Sequence, residues 1–191
     1  MESRYQAALA AYRTGDAERT RELADAVISD APDSPEGLSL RLLRARAFEF
    51  GGYPDGIQLQ KAYEDYRDLE LRTDVAGSEV LLGAARVLFD IDAARNELEI
   101  ERLCKAAIRQ DGSAHGYMML GFLNEKVRKN HCAARRNYMA AFARGLSWGA
   151  RYAAKSHGLQ EHKLKSVALH VVATLASPLL ALVKGVRGPF S

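Results

Sequence analysis

Residues 111–154 read DGSAHGYMMLGFLNEKVRKNHCAARRNYMAAFARGLSWGARYAA, and this stretch decides the fold. Small and large side chains alternate in it at helical spacing, which suits helices whose backbones approach closely while a large side chain fills the space beside each small one. The stretch also repeats itself, because HGYMMLG at 115–121 and WGARYAA at 148–154 are offset by 33 residues. A period in the low thirties is typical of stacked helical hairpins.

The composition of the whole chain agrees with a helical fold. Its 191 residues are enough for one domain with a sizeable core, and 48% hydrophobic with 27% charged residues excludes global disorder. Runs rich in Ala, Leu, Arg and Glu favour helix, and strand signals are almost absent. The two cysteines, Cys104 and Cys132, do not make a disulfide framework, which favours a reduced intracellular setting. Glu2 and the lack of an apolar run near the N-terminus argue against a cleaved export signal, so we expect a cytoplasmic protein.

The formal net charge of +3 conceals an asymmetry between the two halves. Residues 1–111 carry 15 Lys and Arg against 22 Asp and Glu, whereas residues 112–191 carry 12 against 2. The charge therefore changes sign at the start of the repeated stretch. Such a division predicts two kinds of neighbour, one of which is anionic.

Turn signals divide the chain into helices. Gly15-Asp16 predicts one helix end followed by an N-cap, and the segment 30–35 contains two prolines that forbid continuation. Similar signals recur at 51–55 and at Asp111-Gly112. The predicted helices cover 3–13, 17–29, 35 to 48 or 50, 56–71, 77–89, 94–109, 114–127, 131–143 and 148–156.

The first hairpin, from Tyr5 through Leu38, resembles a tetratricopeptide repeat. It has Gly15-Asp16 at its turn, Leu23 and Ala24 in its second helix, and APDSPEGL leading onward. It departs from that pattern at Thr20, where a small Ala is usual. The segment 112–145 resembles the Sel-like variant of these repeats through Tyr117, Leu120-Gly121, Ala134, Tyr138, Ala140-Ala141 and Gly145, although Lys126 to Asn130 replace the usual glycine-containing loop.

The repeats and the resemblance together predict an all-α, right-handed solenoid of about four helical hairpins over residues 1–157. A hydrophobic C-terminal helix and tail follow over 158–191. The resemblance implies a non-enzymatic adaptor or scaffold that binds a peptide or helix of a protein partner in its groove. The residues expected to contact that partner lie in the first helices of successive hairpins: Arg41, Arg44, Glu79 and Asn124.

The tail contains an uncharged run from Ser166 to Val183 with lysines on both sides. On a helix this run is apolar except for a narrow polar stripe, and its length falls just short of the hydrocarbon thickness of a bilayer. Three interpretations remain open: a helix folded back into the groove or onto the end of the solenoid, membrane attachment in which the helix lies in the interface or inserts, and a surface for protein binding or self-association. The apolar positions on which these depend are Val167, Leu169, Val171, Val172, Leu175, Leu179, Leu180 and Leu182.

The basic second half also allows RNA binding as an alternative function. Phosphate contacts from the cations would then join base stacking on Tyr138, Tyr152 and Trp148. The competing interpretation is that these aromatic side chains form interhelix core and leave only a basic surface, which would equally suit an anionic membrane or an acidic partner. The cations of this predicted surface are Lys126, Arg128, Lys129, Arg135 and Arg136.

Two common motifs of metal and phosphate binding do not occur in the sequence. It contains no HExxH zinc pattern and no GxxxxGK[ST] phosphate loop. The five histidines are scattered, and acidic pairs such as Glu64-Asp65 suit solvated helix faces. We therefore expect no enzymatic activity, no metal and no cofactor.

Overall fold

The computed structural model describes residues 2–51, 55–72 and 77–158, and within these ranges the chain is helical with no strand. The described chain divides into two compact units, Met1–Leu103 and Cys104–Ser191. The predicted tail helix over 166–183 and the domain boundary at 157/158 stay predictions, because the tail lies outside the described residues. The helices are α1 (Glu2–Arg13), α2 (Ala17–Asp30), α3 (Pro35–Phe50), α4 (Gly56–Glu70), α5 (Ser78–Asp92), α6 (Glu97–Asp111), α7 (Ala114–Phe122), α8 (His131–Ala143) and α9 (Trp148–Gly158).

The first unit is an arrangement of successive hairpins. Each helix from α1 to α4 packs on the next, and α1 also contacts α3, as α3 contacts α5. Contact between alternate helices is the pattern of stacked helical repeats. The core of its first hairpin and of α3 consists of Ala8, Ala24, Val27, Ile28, Leu40 and Leu43.

The second unit repeats this packing in α7, α8 and α9, where α8 contacts both of its neighbours. Its core combines one large aromatic ring, Tyr138, with small residues that allow the helices to approach closely. Gly145, with φ of +88°, ends α8 in the left-handed conformation that favours glycine. The other buried members of this core are Met118, Ala134, Ala141, Leu146 and Ala153.

Side chains cap the starts of α2, α3 and α4, and Asp16 among them was predicted as an N-cap. The side chains of Asp16, Ser34 and Asp55 each accept a hydrogen bond from a backbone N–H three residues on, at 2.8 to 2.9 Å. Thr20, the departure from the repeat pattern, is fully buried, and its hydroxyl donates to the carbonyl of Asp16 at 2.6 Å. The hydroxyl that distinguishes it from Ala is therefore satisfied within its own helix.

Three helix boundaries differ from the predictions by three residues or more. Helix α5 ends at Asp92 rather than at 89. Helix α6 begins at Glu97 rather than 94, because the Asp92 carboxylate accepts hydrogen bonds from the N–H groups of Ala94 and Arg95 and holds them in a turn. Helix α7 ends at Phe122 rather than continuing to 127, and a π-helical turn spans Leu123–Val127. The wider turn is closed by the N–H of Arg128 on the carbonyl of Leu123, a spacing of five residues.

Candidate interaction surfaces

A buried cluster in the first unit joins α3, α4 and α5. The fully buried Tyr66 donates its hydroxyl to Glu49 at 2.7 Å, and its ring occupies the space over Gly83, where a Cβ would overlap it. Arg86 donates two further hydrogen bonds to the Glu49 carboxylate, at 2.6 and 3.1 Å. Burial and the neighbouring carboxylate of Glu49 raise the pKa of Tyr66. The cluster is satisfied internally and connects three helices.

A second tyrosine–glutamate pair lies in the second unit. Tyr138 is fully buried against Gly121 and donates its hydroxyl to Glu125 at 3.0 Å. Burial and the nearby Glu125 raise the pKa of Tyr138. Phe122 and Tyr152 pack against the Tyr138 ring, with centroids 5.8 and 5.4 Å away. A ring so enclosed is not exposed for stacking on a nucleotide base, which removes Tyr138 from the set proposed for RNA contact.

The residues predicted to bind a partner segment have partners inside the chain. Arg44 bridges α2 and α4, donating to Asp65 at 2.6 and 2.9 Å and to Asp25 at 2.5 Å. Burial by itself lowers the pKa of Arg44, but the hydrogen bonds and charges of these two aspartates outweigh it and raise that pKa. The remaining three behave similarly: Arg41 pairs with Asp68, Glu79 pairs with Arg46, and Asn124 is buried and donates to the Leu120 carbonyl at 2.8 Å.

Of the predicted basic surface, Lys126, Lys129 and Arg136 are exposed, and Arg128 and Arg135 are half-buried. Lys129 has φ of +54°, the left-handed conformation, at the end of the turn that follows the π-helical segment. Residues 104–158 contain ten Lys and Arg but only two carboxylates, Asp111 and Glu125. Because Glu125 is buried, the positive charge of this described stretch exceeds what its own carboxylates neutralise.

Helix α9 presents a face that combines aromatic and basic side chains. Trp148, Arg151, Tyr152 and Lys155 follow the i, i+3, i+4, i+7 spacing of one helix face and line an open recess of about 520 Å³. We call these four residues the α9 face. The expectation that Trp148 belongs to the core is wrong, because its side chain is 55% exposed. Small residues make the contact with α8 instead, since Gly149 lies against the backbone of Tyr138 and Phe142.

Two kinds of functional feature are absent from the described residues: a metal site and a membrane-spanning helix. They contain no group of His, Cys, Asp and Glu that could hold a metal ion, and none of their helices is long and apolar enough to cross a membrane. Cys104 is buried and Cys132 is exposed. A smaller recess of about 200 Å³ in the first unit is lined partly by Tyr12, Arg46 and Phe50.

The sequence places Trp148 and Tyr152 among the aromatic residues of the basic second half but does not predict the α9 face as a unit. The signal was available, because the four residues share helical spacing in a segment already predicted as helix. The sequence alone leaves open whether Trp148 and Tyr152 are exposed or belong to the core, so it does not show that they share a surface with Arg151 and Lys155.

The fold is an all-α solenoid of helical hairpins, as predicted. Two solved structures of MamA share the fold. One has a TM-score of 0.72 at 15% sequence identity, covering 90% of this chain and 94% of that one. The other has a TM-score of 0.74 at 13% identity, covering 100% and 96%. No protein-family model and no curated protein matches the sequence.

Proposed function

We propose that this chain is a non-enzymatic adaptor that binds a segment of a protein partner. The observation that carries the proposal is the helical-hairpin fold, which it shares with MamA over 90% or more of its length. Stacked hairpins expose extended surfaces on which a peptide or a helix binds, and protein–protein interaction is what such folds commonly serve. The polar residues buried in the described cores are engaged in structural hydrogen bonds rather than gathered around a cleft for chemistry.

Partner capture tests this function directly. The full chain, carrying an affinity tag on its N-terminus, is crosslinked in its native cells, purified under denaturing conditions and analysed by mass spectrometry. We expect a discrete protein to be recovered in near-stoichiometric amount. Recovery of nucleic acid alone, abolished by nuclease, would replace the adaptor with the RNA-binding alternative.

The proposal includes a tether at the inner face of a membrane, formed by residues 166–183. Its support is sequence chemistry: an uncharged run follows Lys163 and Lys165 and precedes Lys184 and Arg187. Cations beside an apolar helix favour anionic lipid headgroups. Flotation with vesicles containing phosphatidylserine compares the full chain with one ending at Leu164. The full chain should float and the shortened one should not, whereas equal soluble fractions would remove the tether and leave the adaptor.

A further inference from the structure

We infer that the α9 face docks an acidic segment of a protein partner, anchored by an apolar side chain in the recess between Trp148 and Lys155. This inference rests on the adaptor function, because it names the surface and the partner chemistry of that function. Three independent features of the second unit carry it: its charge, the residue types of the face and the shape of the recess.

Charge defines the class of partner. With ten cations and two carboxylates over 104–158, this stretch attracts anions. The first unit differs in net charge, since residues 1–103 carry 13 Lys and Arg against 21 Asp and Glu. Arg151 and Lys155 are exposed on the α9 face one turn apart, so they offer two adjacent positive charges to an incoming chain.

Residue type favours a protein over other anions. Trp, Tyr and Arg are the residues most enriched at the energetic centres of protein interfaces, and Trp148, Arg151 and Tyr152 place all three on one turn of helix. Trp148 is 55% exposed, while Tyr152 is fixed by its edge-on contact with Phe122 at 5.0 Å. The α9 face therefore combines a fixed aromatic side chain, Tyr152, with an accessible one, Trp148.

The recess offers space for an apolar side chain of a partner. It is open to solvent, has a volume of about 520 Å³, and is lined by aromatic and aliphatic atoms between the two cations. A partner segment in which carboxylates flank an apolar residue would match this order of a cation, an apolar recess and a second cation. The chain's own run 166–183 is a poorer match, because it contains no carboxylate to meet Arg151 and Lys155.

Tryptophan fluorescence reports directly on the α9 face, because Trp148 is the only tryptophan in the sequence. The full chain is titrated with a set of 18-residue helical peptides that carry glutamates on one face and leucine or phenylalanine on the other. Binding should shift the Trp148 emission to shorter wavelength, and matched peptides with glutamine in place of glutamate should bind at least tenfold more weakly. Absence of an emission shift with every acidic peptide would overturn the inference.

Matched variants locate the binding. Arg151→Gln with Lys155→Gln should weaken acidic-peptide binding at least tenfold. Lys129→Gln with Arg136→Gln removes the same charge from exposed positions outside the α9 face and should weaken binding less than threefold. Equal losses in both variants would show attraction by net charge alone and would contradict a defined site.

Two further outcomes separate this inference from its alternatives. If phosphatidylserine vesicles shift the Trp148 emission and the peptides do not, the face is a lipid contact and the inference is wrong. If the native partner is captured equally by the wild-type chain and by the Arg151→Gln, Lys155→Gln variant, the adaptor function stands and the α9 face is not its site. If neither captures a protein, the adaptor function itself fails.

Discussion

Tyr138 lies with its ring directly over Gly121, on the helix that faces it, so closely that a Cβ at position 121 would overlap the ring. The same relationship joins Tyr66 to Gly83 in the first unit. In both places the tyrosine hydroxyl donates to a buried glutamate, Glu125 or Glu49. A glycine, a tyrosine and a glutamate thus form the same packing arrangement in both units.

The absence of a side chain at Gly121 is required by this packing. Gly121→Val should lower the free energy of unfolding by about 1 to 3 kcal/mol, because the added methyl groups displace the Tyr138 ring. Gly56→Val is the matched control, since a Cβ there meets nothing within 4 Å, and a change below about 0.5 kcal/mol is expected. Urea denaturation measures both, and equal effects would contradict the close packing.

The hydroxyl of Tyr138 should contribute more to stability than that of Tyr66. In Tyr66→Phe the Glu49 carboxylate keeps two hydrogen bonds from Arg86 at 2.6 and 3.1 Å. In Tyr138→Phe the buried Glu125 loses a hydrogen bond of 3.0 Å, and its contact with Lys126 is longer, at 3.8 Å. Leaving a buried group without its hydrogen bond costs about 1 to 3 kcal/mol. We expect Tyr138→Phe near the top of that range and Tyr66→Phe near the bottom. The reverse order in thermal or urea unfolding would show that Glu125 has a stronger partner than Lys126.

Arg44 should be a stability determinant of the first unit. Arg44→Met leaves the Asp65 carboxylate, 6% exposed, without its bidentate partner, and breaking such a buried pair costs about 3 to 5 kcal/mol. Arg19→Met is the control, since it breaks only an exposed pair with Glu22 and should cost at most about 1 kcal/mol.

The cost of Arg44→Met should depend on pH. Burial raises the pKa of Asp65 above its ordinary value even with Arg44 present, and losing the guanidinium raises it further. A carboxyl whose folded pKa exceeds its unfolded pKa favours the folded state at low pH and loses that advantage as the pH rises through the folded pKa. The free energy of unfolding that Arg44→Met loses relative to wild type should therefore become smaller as the pH is lowered from 7 to 4. A deficit that is constant over this interval would contradict the burial of the Asp65 charge.

Asp90→Asn should stabilise the protein at neutral pH. Partial burial and the nearby Glu49 raise the pKa of Asp90, and the residue lies in the last turn of α5, where the helix dipole disfavours a negative charge. Its raised folded pKa means that the ionised form destabilises the fold above that pKa. The variant should melt at a higher temperature than wild type at pH 7, and the difference should vanish near pH 3. A lower melting temperature at pH 7 would indicate that the Asp90 charge has a favourable partner.

The sequence predicted most helices well, because the residues that start and end a helix act on their immediate neighbours in the chain. Gly15, Ser34 and Asp55 act within one turn of chain, so their effects are readable from neighbouring residues. The π-helical turn at Leu123–Val127 escaped prediction, because no residue there is a helix breaker and the wider turn coincides with the tertiary contact between Glu125 and Tyr138.

Side-chain roles were harder to predict than helices. Arg41 and Arg44 were selected as groove residues from their position in a first helix, but their carboxylate partners lie 19 to 27 residues away and sequence spacing does not reveal such pairs. Their role toward a partner stays a prediction. Trp148 shows the opposite error, since a residue at a core position of the repeat is exposed because α9 packs through its glycine and alanines.

The central claim is that this chain binds a protein segment through the α9 face, and photocrosslinking from position 148 tests it most directly. A photoreactive phenylalanine replaces Trp148 in the full chain, and a second chain carries it at the exposed Arg19 as a control. Irradiation of native cells should give one protein adduct from position 148 that is absent from position 19. Adducts only with lipid or nucleic acid, or identical adducts from both positions, would contradict the account.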